Sequence, residues 1–271
     1  MMKELIMHEI RESDESLQVH LLREKLQHLI LKVIDEKKFF SQIHFLGGTA
    51  LRVLYKLKRF SEDLDFSLDP QQKKKFNFDL FIQSIQNDLA DYGFQTELKK
   101  KTTGAVRNCY FKFSHILPEL SSRFKINEKL SIRVDIDTNP PLGFGIETTA
   151  VKNDFLIKIK HYDKPSLFAG KLHAIIGRNY LKGRDIYDFI WYCASETPVN
   201  LTLLNNAYKQ THLEPPPWNK NTLSEFIAKK IHKMDLKKAY QDASFFMEDL
   251  AEKRFFDSKL LVSMARKIKI E

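Results

Sequence analysis

Two short stretches decide the fold of this chain: residues 43–51, IHFLGGTAL, and residues 59–66, RFSEDLDF. The first predicts a short apolar strand, a glycine turn and a helix over residues 49–58, because apolar residues recur there at helical spacing. Glycine allows the backbone to approach a ligand closely. A helix that begins after glycines presents free N–H groups and the positive end of its dipole, which favours an anion such as phosphate.

The second stretch predicts a strand that carries two carboxylates. Asp63 and Asp65 are two residues apart and therefore share one face, while Leu64 and Phe66 face the core. Neighbouring carboxylates repel each other unless a cation lies between them, and Mg²⁺ is the usual ion where phosphates also bind. A glycine pair alone is commonly just a turn, and an Asp-x-Asp alone is commonly a solvated strand face. Both in this order, joined by a helix, favour a functional site.

A second cluster of charges follows far downstream, in residues 171–178, KLHAIIGR, and residues 182–189, KGRDIYDF. Each stretch predicts a helix, with a glycine break between them. Lys171 and Arg178 lie on one side of the first helix, and Asp185 and Asp188 share a face of the second. Two interpretations remain: a phosphate and ion-pair site, or a purely structural pairing of Arg178 or Arg184 with Asp188. Taken alone, this cluster favours the structural interpretation.

Together the two clusters resemble the abortive-infection nucleotidyltransferase toxins of the AbiEii/AbiGii type, to which the mycobacterial MenT toxins also belong. The resemblance covers about residues 15 to 195. The first motif of that family is a glycine pair, a helix and Arg-x-Ser-x-Asp-x-Asp, and it matches Gly47, Gly48, Arg59, Ser61, Asp63 and Asp65. The second motif matches Lys171, Ala174, Arg178, Arg184, Asp185 and Asp188.

The resemblance implies an α+β fold, with a polymerase-beta-like nucleotidyltransferase core and a mostly helical C-terminal lobe. It implies that Asp63 and Asp65 are catalytic and hold Mg²⁺. It also implies that a nucleoside triphosphate is bound by the glycine turn and by nearby polar and basic side chains. These nucleotide-binding residues are Gly47, Gly48, Thr49, Arg59, Ser61, Lys171 and Arg178.

The resemblance also assigns catalytic roles outside the first motif. Lys171 would bind and polarise the triphosphate, and Asp185 would support Lys171 or act in proton transfer. A third catalytic carboxylate is expected on the strand predicted over residues 130–137, LSIRVDID, where the polar residues share one face. Asp135 is the preferred candidate, and Asp137 is the alternative.

The function implied is transfer of a nucleoside monophosphate to an RNA acceptor, with release of pyrophosphate. The tRNA 3′ end is the expected acceptor, and an antitoxin encoded alongside is the expected partner. Two alternatives stay open. One is transfer to a protein or a small molecule, and the other is a non-catalytic RNA- or protein-binding module on the same fold.

Composition agrees with an RNA partner. The 271 residues include 44 basic and 35 acidic side chains, a formal net charge of +9, and such an excess favours a polyanion. Near Arg107 and Lys112, the aromatic residues of 110–113, YFKF, could stack on bases, although a strand with one face in the core fits them better. The two cysteines have no metal-ligand spacing. No apolar run is long enough for a bilayer, and we expect a cytoplasmic protein without a membrane partner.

The remaining pattern predicts a core over residues 1–162 and a helical lobe over residues 163–271. In the core it predicts helices over 16–37 and 76–92, a hairpin formed by 94–98 and 107–113, and strands over 129–137 and 155–159. In the lobe, Pro215-Pro216-Pro217 interrupts a helical pattern that continues over 223–232 and 255–268.

Overall fold

A computed structural model describes residues 2–178, 180 and 182–271 of the chain. The chain divides into two compact units that interleave along the sequence. The first unit contains the chain up to Lys56, Phe60–Pro140 and Thr148–His161. The second contains Leu57–Arg59, Pro141–Glu147 and Tyr162–Glu271, so two short segments embedded in the first part of the sequence belong to it.

The first unit is a mixed sheet with helices. Its helices are α1 (Met2–Arg11), α2 (Gln18–Glu36), α3 (Gly47–Tyr55), α4 (Phe78–Asp91) and α5 (Ile116–Leu120). Its strands are β1 (Ile43–Leu46), β2 (Leu64–Leu68), β3 (Thr96–Lys101), β4 (Val106–Phe113), β5 (Leu130–Asp137), β6 (Ile146–Lys152) and β7 (Leu156–Tyr162), the ends of the last two reaching into segments of the second unit.

The seven strands form one sheet in the order β3-β4-β5-β2-β1-β7-β6. β2 runs parallel to β5 and antiparallel to β1, and β4 runs antiparallel to both β3 and β5. β5 alternates strictly between buried apolar and half-buried polar residues, which is the pattern of a strand with one face in a core. This register places the polar residues of β2 and β5, together with Asn108, Tyr110 and Lys112 of β4, on the same face of the sheet.

Helix α2 supplies much of the core beneath the sheet. Its amphipathic sequence buries one long stripe, and α2 packs against α4. The fully buried side chains of α2 are Leu22, Leu26, Leu29, Ile30, Leu31, Val33 and Ile34. The helices predicted over 16–37 and 76–92 are therefore confirmed, as are the hairpin and the strand over 129–137.

The second unit consists mainly of helices. They are α6 (Lys164–Gly177), α7 (Gly183–Ala194), α8 (Leu201–His212), α9 (Leu223–His232), α10 (Leu236–Ser244) and α11 (Ser258–Arg266). Within this unit α9 packs on α11, α7 on α10, and α6 on both α7 and α8. In the part of the chain that is described, no helix is long and apolar enough to cross a membrane.

Several of the described elements were not predicted individually from the sequence, namely α1, α5, β6, α8 and α10. The helix predicted over 255–268 is α11, which begins three residues later because a short 3₁₀ turn over Leu250–Phe255 precedes it. The helix predicted over 49–58 also has different ends. It begins at Gly47 and stops at Tyr55, because Lys56 adopts a left-handed conformation with φ 58°.

Candidate functional site

The glycine turn lies directly against a carboxylate. β1 ends at Leu46, which pairs with Asp65 of β2, and α3 begins at the next residue, Gly47. Gly47 has φ +83°, and a Cβ there would come within 2.9 Å of both Cβ and Cγ of Asp65. Only glycine satisfies the backbone angle and the close approach together. The turn and the Asp-x-Asp strand are thus brought together, as the sequence predicted.

The start of α3 offers backbone donors. Leu46 at its N-cap provides no capping side chain, so the first N–H groups of α3 have no partner of that kind. Gly47 and Gly48 are half-exposed, whereas Thr49 is buried and its Oγ1 donates a hydrogen bond to the carbonyl of Asp63. The Thr49 hydroxyl therefore fixes the chain before β2. The half-buried Ser61 is held through its carbonyl, which accepts a hydrogen bond from Gln27 Nε2 at 3.2 Å.

The register of β2 and β5 gives Asp135 and Asp137, the two candidates for the third carboxylate, different positions relative to the glycine turn. Asp65 pairs with Asp135, whereas Asp137 pairs with Ser67, one step further from the glycine turn. Asp137 Oδ1 also accepts a hydrogen bond from the backbone N–H of Asn139 at 2.9 Å. This oxygen is therefore already engaged at the end of the strand. Asp135 is therefore the carboxylate that lies beside Asp65. That it is catalytic stays a prediction.

Asp135 has an unusual environment. Burial raises the pKa of its carboxyl to about 6, and the negative charge of Asp63 acts in the same direction. Arg133 opposes this effect, since its Nε donates to Asp135 Oδ1 at 2.8 Å. Burial and the charge of Asp63 together outweigh the effect of Arg133 on the pKa of Asp135.

The donor set of these aspartates fits Mg²⁺. Carboxylate oxygens are the protein ligands that Mg²⁺ prefers, and its remaining positions are commonly filled by water and phosphate oxygens. Among the residues that the structure describes, no group of three or more His, Cys, Asp or Glu side chains is arranged to hold a metal ion. That Asp63 and Asp65 hold Mg²⁺ stays a prediction.

A buried charge network occupies the second unit. The Arg59 guanidinium contacts both carboxylate oxygens of Asp188 at 2.6 Å, and these side chains are only 1% and 0% exposed. Lys171 Nζ lies 2.7 Å from Asp188 Oδ2 and 2.7 Å from Asp185 Oδ1. Arg178 also donates to Asp185. The order of contacts is therefore Arg59, Asp188, Lys171, Asp185 and Arg178, with the signs of charge alternating.

The electrostatics of this network follow from its burial and its excess of one cation. Burial alone would raise the pKa of Asp188, yet Arg59 and Lys171 hold it below its ordinary value. Burial lowers the pKa of Lys171, and Arg59 and Arg178 act in the same direction against the attraction of Asp188. The neighbours of Asp188 therefore favour its ionised form, whereas burial disfavours the charged form of Lys171, which lies between two carboxylates.

The structure agrees with part of each interpretation of this charge cluster. Asp185 and Asp188 both face Lys171, as their spacing predicted. Asp188 forms a buried ion pair with Arg59, a partner that the sequence did not suggest. Sequence reasoning missed the link between Arg59 of the first motif and Asp188 of the second. The sequence held one indication of this pair, since the two matched motifs contain an arginine and an aspartate, which carry opposite charges. Direct nucleotide binding by Arg59, Lys171 and Arg178 stays a prediction.

Tight helix packing positions Asp185. A Cβ at Gly183, the first residue of α7, would lie 2.7 Å from the Ala243 nitrogen and closer still to the Ala239 carbonyl oxygen of α10. The Gly183 N–H also donates to Asp242 Oδ2 at 2.6 Å. The N-terminus of α7 is therefore fixed against α10, which places Asp185 in the first turn beside Lys171 and Arg178.

The class of protein is a nucleotidyl-transfer enzyme, as its family shows. The chain belongs to the nucleotidyl transferase AbiEii toxin family of type IV toxin–antitoxin systems, whose family model matches residues 29–260. The family predicted from the two motifs is confirmed.

Solved structures agree on the fold. A candidate nucleotidyltransferase from H. pylori is 19% identical, with a TM-score of 0.56 over 94% of this chain and 96% of that chain. The protein JHP933 from Helicobacter pylori is 20% identical, with a TM-score of 0.55 over 94% of this chain and 93% of that chain. At this identity the likeness concerns the fold alone, and it confirms the predicted α+β architecture. A search of curated proteins gave no match.

Proposed function

We propose that this protein is a Mg²⁺-dependent toxin that transfers a nucleoside monophosphate from a nucleoside triphosphate to RNA, with the tRNA 3′ end as acceptor. The single observation that carries the proposal is the close approach of Gly47 to Asp65, with Asp135 in register on the neighbouring strand. This arrangement combines backbone donors for phosphate with carboxylates for a metal ion and for an attacking hydroxyl.

In the first unit, Asp63 and Asp65 hold Mg²⁺, and the N–H groups of Gly47, Gly48 and Thr49 bind the triphosphate. When bound, Mg²⁺ neutralises charge on the triphosphate. Asp135 accepts the proton of the acceptor hydroxyl at Oδ2, since Oδ1 already accepts from Arg133. A carboxyl with a pKa of about 6 suits this role, because a general base works best when its pKa lies near the working pH.

The roles of Lys171 and Arg178 toward the triphosphate are those that the family resemblance implies. An ammonium group has three donors, and Asp185 and Asp188 occupy two of those of Lys171. The half-exposed Arg178 supplies a second cation. Arg59 acts through Asp188, because its guanidinium is buried and bonded to both oxygens of that carboxylate. Fixed cations of this kind stabilise the charge that develops on the leaving pyrophosphate.

The reaction is an in-line displacement. The acceptor hydroxyl oxygen forms a bond to the α-phosphorus, the bond from that phosphorus to the bridging oxygen breaks, and pyrophosphate leaves with the electron pair. Because most of the catalytic effect in such reactions comes from positioning and electrostatics, the aspartates contribute more to the rate than surface lysines do.

RNA is favoured as the acceptor by the polar face of the sheet. Tyr110 pairs in register with Arg133, whose guanidinium lies 5.7 Å from the ring centroid, and Asn108 pairs with Asp135. A half-exposed ring in this position can stack on a base, with the cation near a phosphate. Phe111 and Phe113 belong to the core, at 0% and 1% exposure, and take no part in such stacking.

The decisive experiment offers purified protein total tRNA, Mg²⁺ and each radiolabelled nucleoside triphosphate in turn. We expect label on tRNA, and we expect Asp65→Asn to reduce it by at least about a hundredfold, as for removal of one preorganised electrostatic group. Asp79→Asn is the matched control, since Asp79 is exposed and pairs with Lys100 on the surface. Label on the protein or on a small molecule, and not on RNA, would identify that molecule as the acceptor. No label with any triphosphate would favour a binding module.

A second comparison tests the assignment of the third carboxylate. We expect Asp135→Asn to abolish transfer, and we expect Asp137→Asn to retain at least about a tenth of it, because only Asp135 lies beside Asp65. Both substitutions remove one charge from the same strand and the same face. The reverse order of activities would assign the role to Asp137.

A further inference from the structure

The second unit contains a pocket of about 530 Å³ that the proposed chemistry does not account for. It lies among α6, α7, α9 and α10, and only residues of this unit line it. Its volume lies within the range of small-molecule sites, roughly 300–1,000 Å³. The pocket has apolar surface from Ala174, Ile175, Ile186 and Met234.

The charge around this pocket is strongly positive. Five basic side chains line it, against only two acidic ones. Both acidic groups are already engaged: Asp185 by Lys171 and Arg178, and Asp235 by the backbone N–H of Lys238, which it caps at 3.0 Å. The basic lining residues are Arg178, Lys182, Lys230, Lys233 and Lys238.

Two of these lysines are available to a ligand. The side chains of Lys233 and Lys238 are exposed and form no ion pair with any residue that the structure describes. Lys230 is held differently, since its Nζ donates to the carbonyl of Ile176 at 2.6 Å and its side chain is half-buried. That contact fixes one cation at the wall of the pocket, while the other two line it from α10 and from the end of α9.

An aromatic ring completes the lining. Tyr180 is 67% exposed, and the Arg178 guanidinium lies 5.9 Å from its ring centroid. An apolar surface, an exposed ring and several cations match the three parts of a nucleotide: the sugar, the base and the phosphate.

We propose that this pocket binds a phosphorylated nucleotide, with Lys233 and Lys238 on its phosphate and Tyr180 against its base. The nucleotide is either one residue of a bound RNA or a free nucleoside triphosphate. The inference deepens the proposed function, because Arg178 and Asp185 belong to both sites, but it concerns binding and needs no turnover. It therefore survives if no nucleotidyl transfer is found.

The test compares two double charge reversals on the same two helical segments. Lys233→Glu with Lys238→Glu alters the pocket, whereas Lys229→Glu with Lys237→Glu makes the same charge change at exposed residues that do not line it. Met234→Trp fills the pocket without changing charge. Binding is measured by fluorescence anisotropy of a labelled single-stranded RNA and by equilibrium dialysis of each radiolabelled nucleoside triphosphate, with melting temperatures as the folding check.

We expect the Lys233 and Lys238 pair to weaken binding of one probe by about tenfold or more, and the Lys229 and Lys237 pair to weaken it by less than about threefold. Met234→Trp should weaken the same probe. If only RNA binding is weakened, the nucleotide in the pocket is part of a bound RNA. If only binding of a nucleoside triphosphate is weakened, the pocket binds the free nucleotide. Equal losses in both charge-reversed pairs, no loss in either, or wild-type binding by Met234→Trp would overturn the proposal.

Discussion

Gly47 shows how much a single residue contributes to this site. Its φ of +83° is costly for other residues, and its missing Cβ makes room for Asp65. Gly104 has a similar φ of +91°, yet no atom lies within 4 Å of where its Cβ would be. The two glycines therefore share the backbone requirement, and only Gly47 has the steric one.

We expect Gly47→Ala to lower the free energy of unfolding by about 2–4 kcal/mol and to abolish nucleotidyl transfer, because both backbone strain and a collision are introduced. Gly104→Ala should cost only about 1–2 kcal/mol, since backbone strain acts there alone. Urea denaturation of both variants measures the difference. Equal losses at the two positions would show that Asp65 moves aside at little cost.

A second prediction at this scale concerns Arg59 and Asp188. Removing one member of a buried ion pair leaves an uncompensated charge, and we expect Arg59→Met to cost about 3–5 kcal/mol in the free energy of unfolding. Joint replacement, Arg59→Met with Asp188→Leu, should cost less than the sum of the single changes. Denaturant melts of the three variants form the cycle.

The exposed pair of Arg266 and Glu225 is the control for that cycle. Its Nε and Oε2 atoms lie 3.1 Å apart, but the side chains are 59% and 46% exposed. Arg266→Met should therefore change stability by less than about 1 kcal/mol. A comparable loss at both pairs would mean that burial does not determine the strength of the Arg59 contact.

At the scale of secondary structure, the packing of α7 on α10 depends on a glycine. We expect Gly183→Ala to destabilise the protein by about 1–3 kcal/mol, because the added Cβ meets the backbone of α10, which cannot rotate away as a side chain can. Gly170→Ala within α6 is the control, since no atom lies within 4 Å of its Cβ position. That change should be neutral or stabilise by up to about 1 kcal/mol. Thermal unfolding of both variants provides the comparison.

The elements that sequence reasoning found and missed differ in a physical way. α2 and β5 were predictable, because each has one buried face and a strong apolar period. β6 is an edge strand with only Val151 buried, so no alternating pattern marks it. α5 has five residues, including a proline, and is too short for helical periodicity to be seen.

The residues of the candidate site also differ in how far the sequence could predict their arrangement. Asp65 was predictable on a strand, whereas Asp63, predicted on the same strand, immediately precedes β2, which begins at Leu64. Their distance from Asp135 depends on the register of β2 against β5, which is set by pairing far apart in sequence. The partner of Asp188 likewise depends on tertiary packing, and the local spacing favoured Arg178 or Arg184 over Arg59.

For the whole molecule, net charge leads to a prediction about salt. The formal charge of +9 favours binding to a polyanion by release of its counterions. We expect RNA affinity to fall by about tenfold or more between roughly 50 and 200 mM salt, which corresponds to neutralisation of about three phosphates on a single strand. Anisotropy titrations at several salt concentrations give the slope. Affinity that is independent of salt would show that the basic surface does not contact RNA.

The interleaving of the two units limits how this protein can exchange parts with its relatives. Leu57–Arg59 belong to the second unit although first-unit residues flank them on both sides. A recombinant gene that joins a foreign first part to this chain at residue 163 would inherit Asp188 and Lys171 but receive a foreign residue in place of Arg59. Successful chimeras must therefore keep an arginine at position 59, which the first motif of the family supplies, so that Asp188 retains its buried partner.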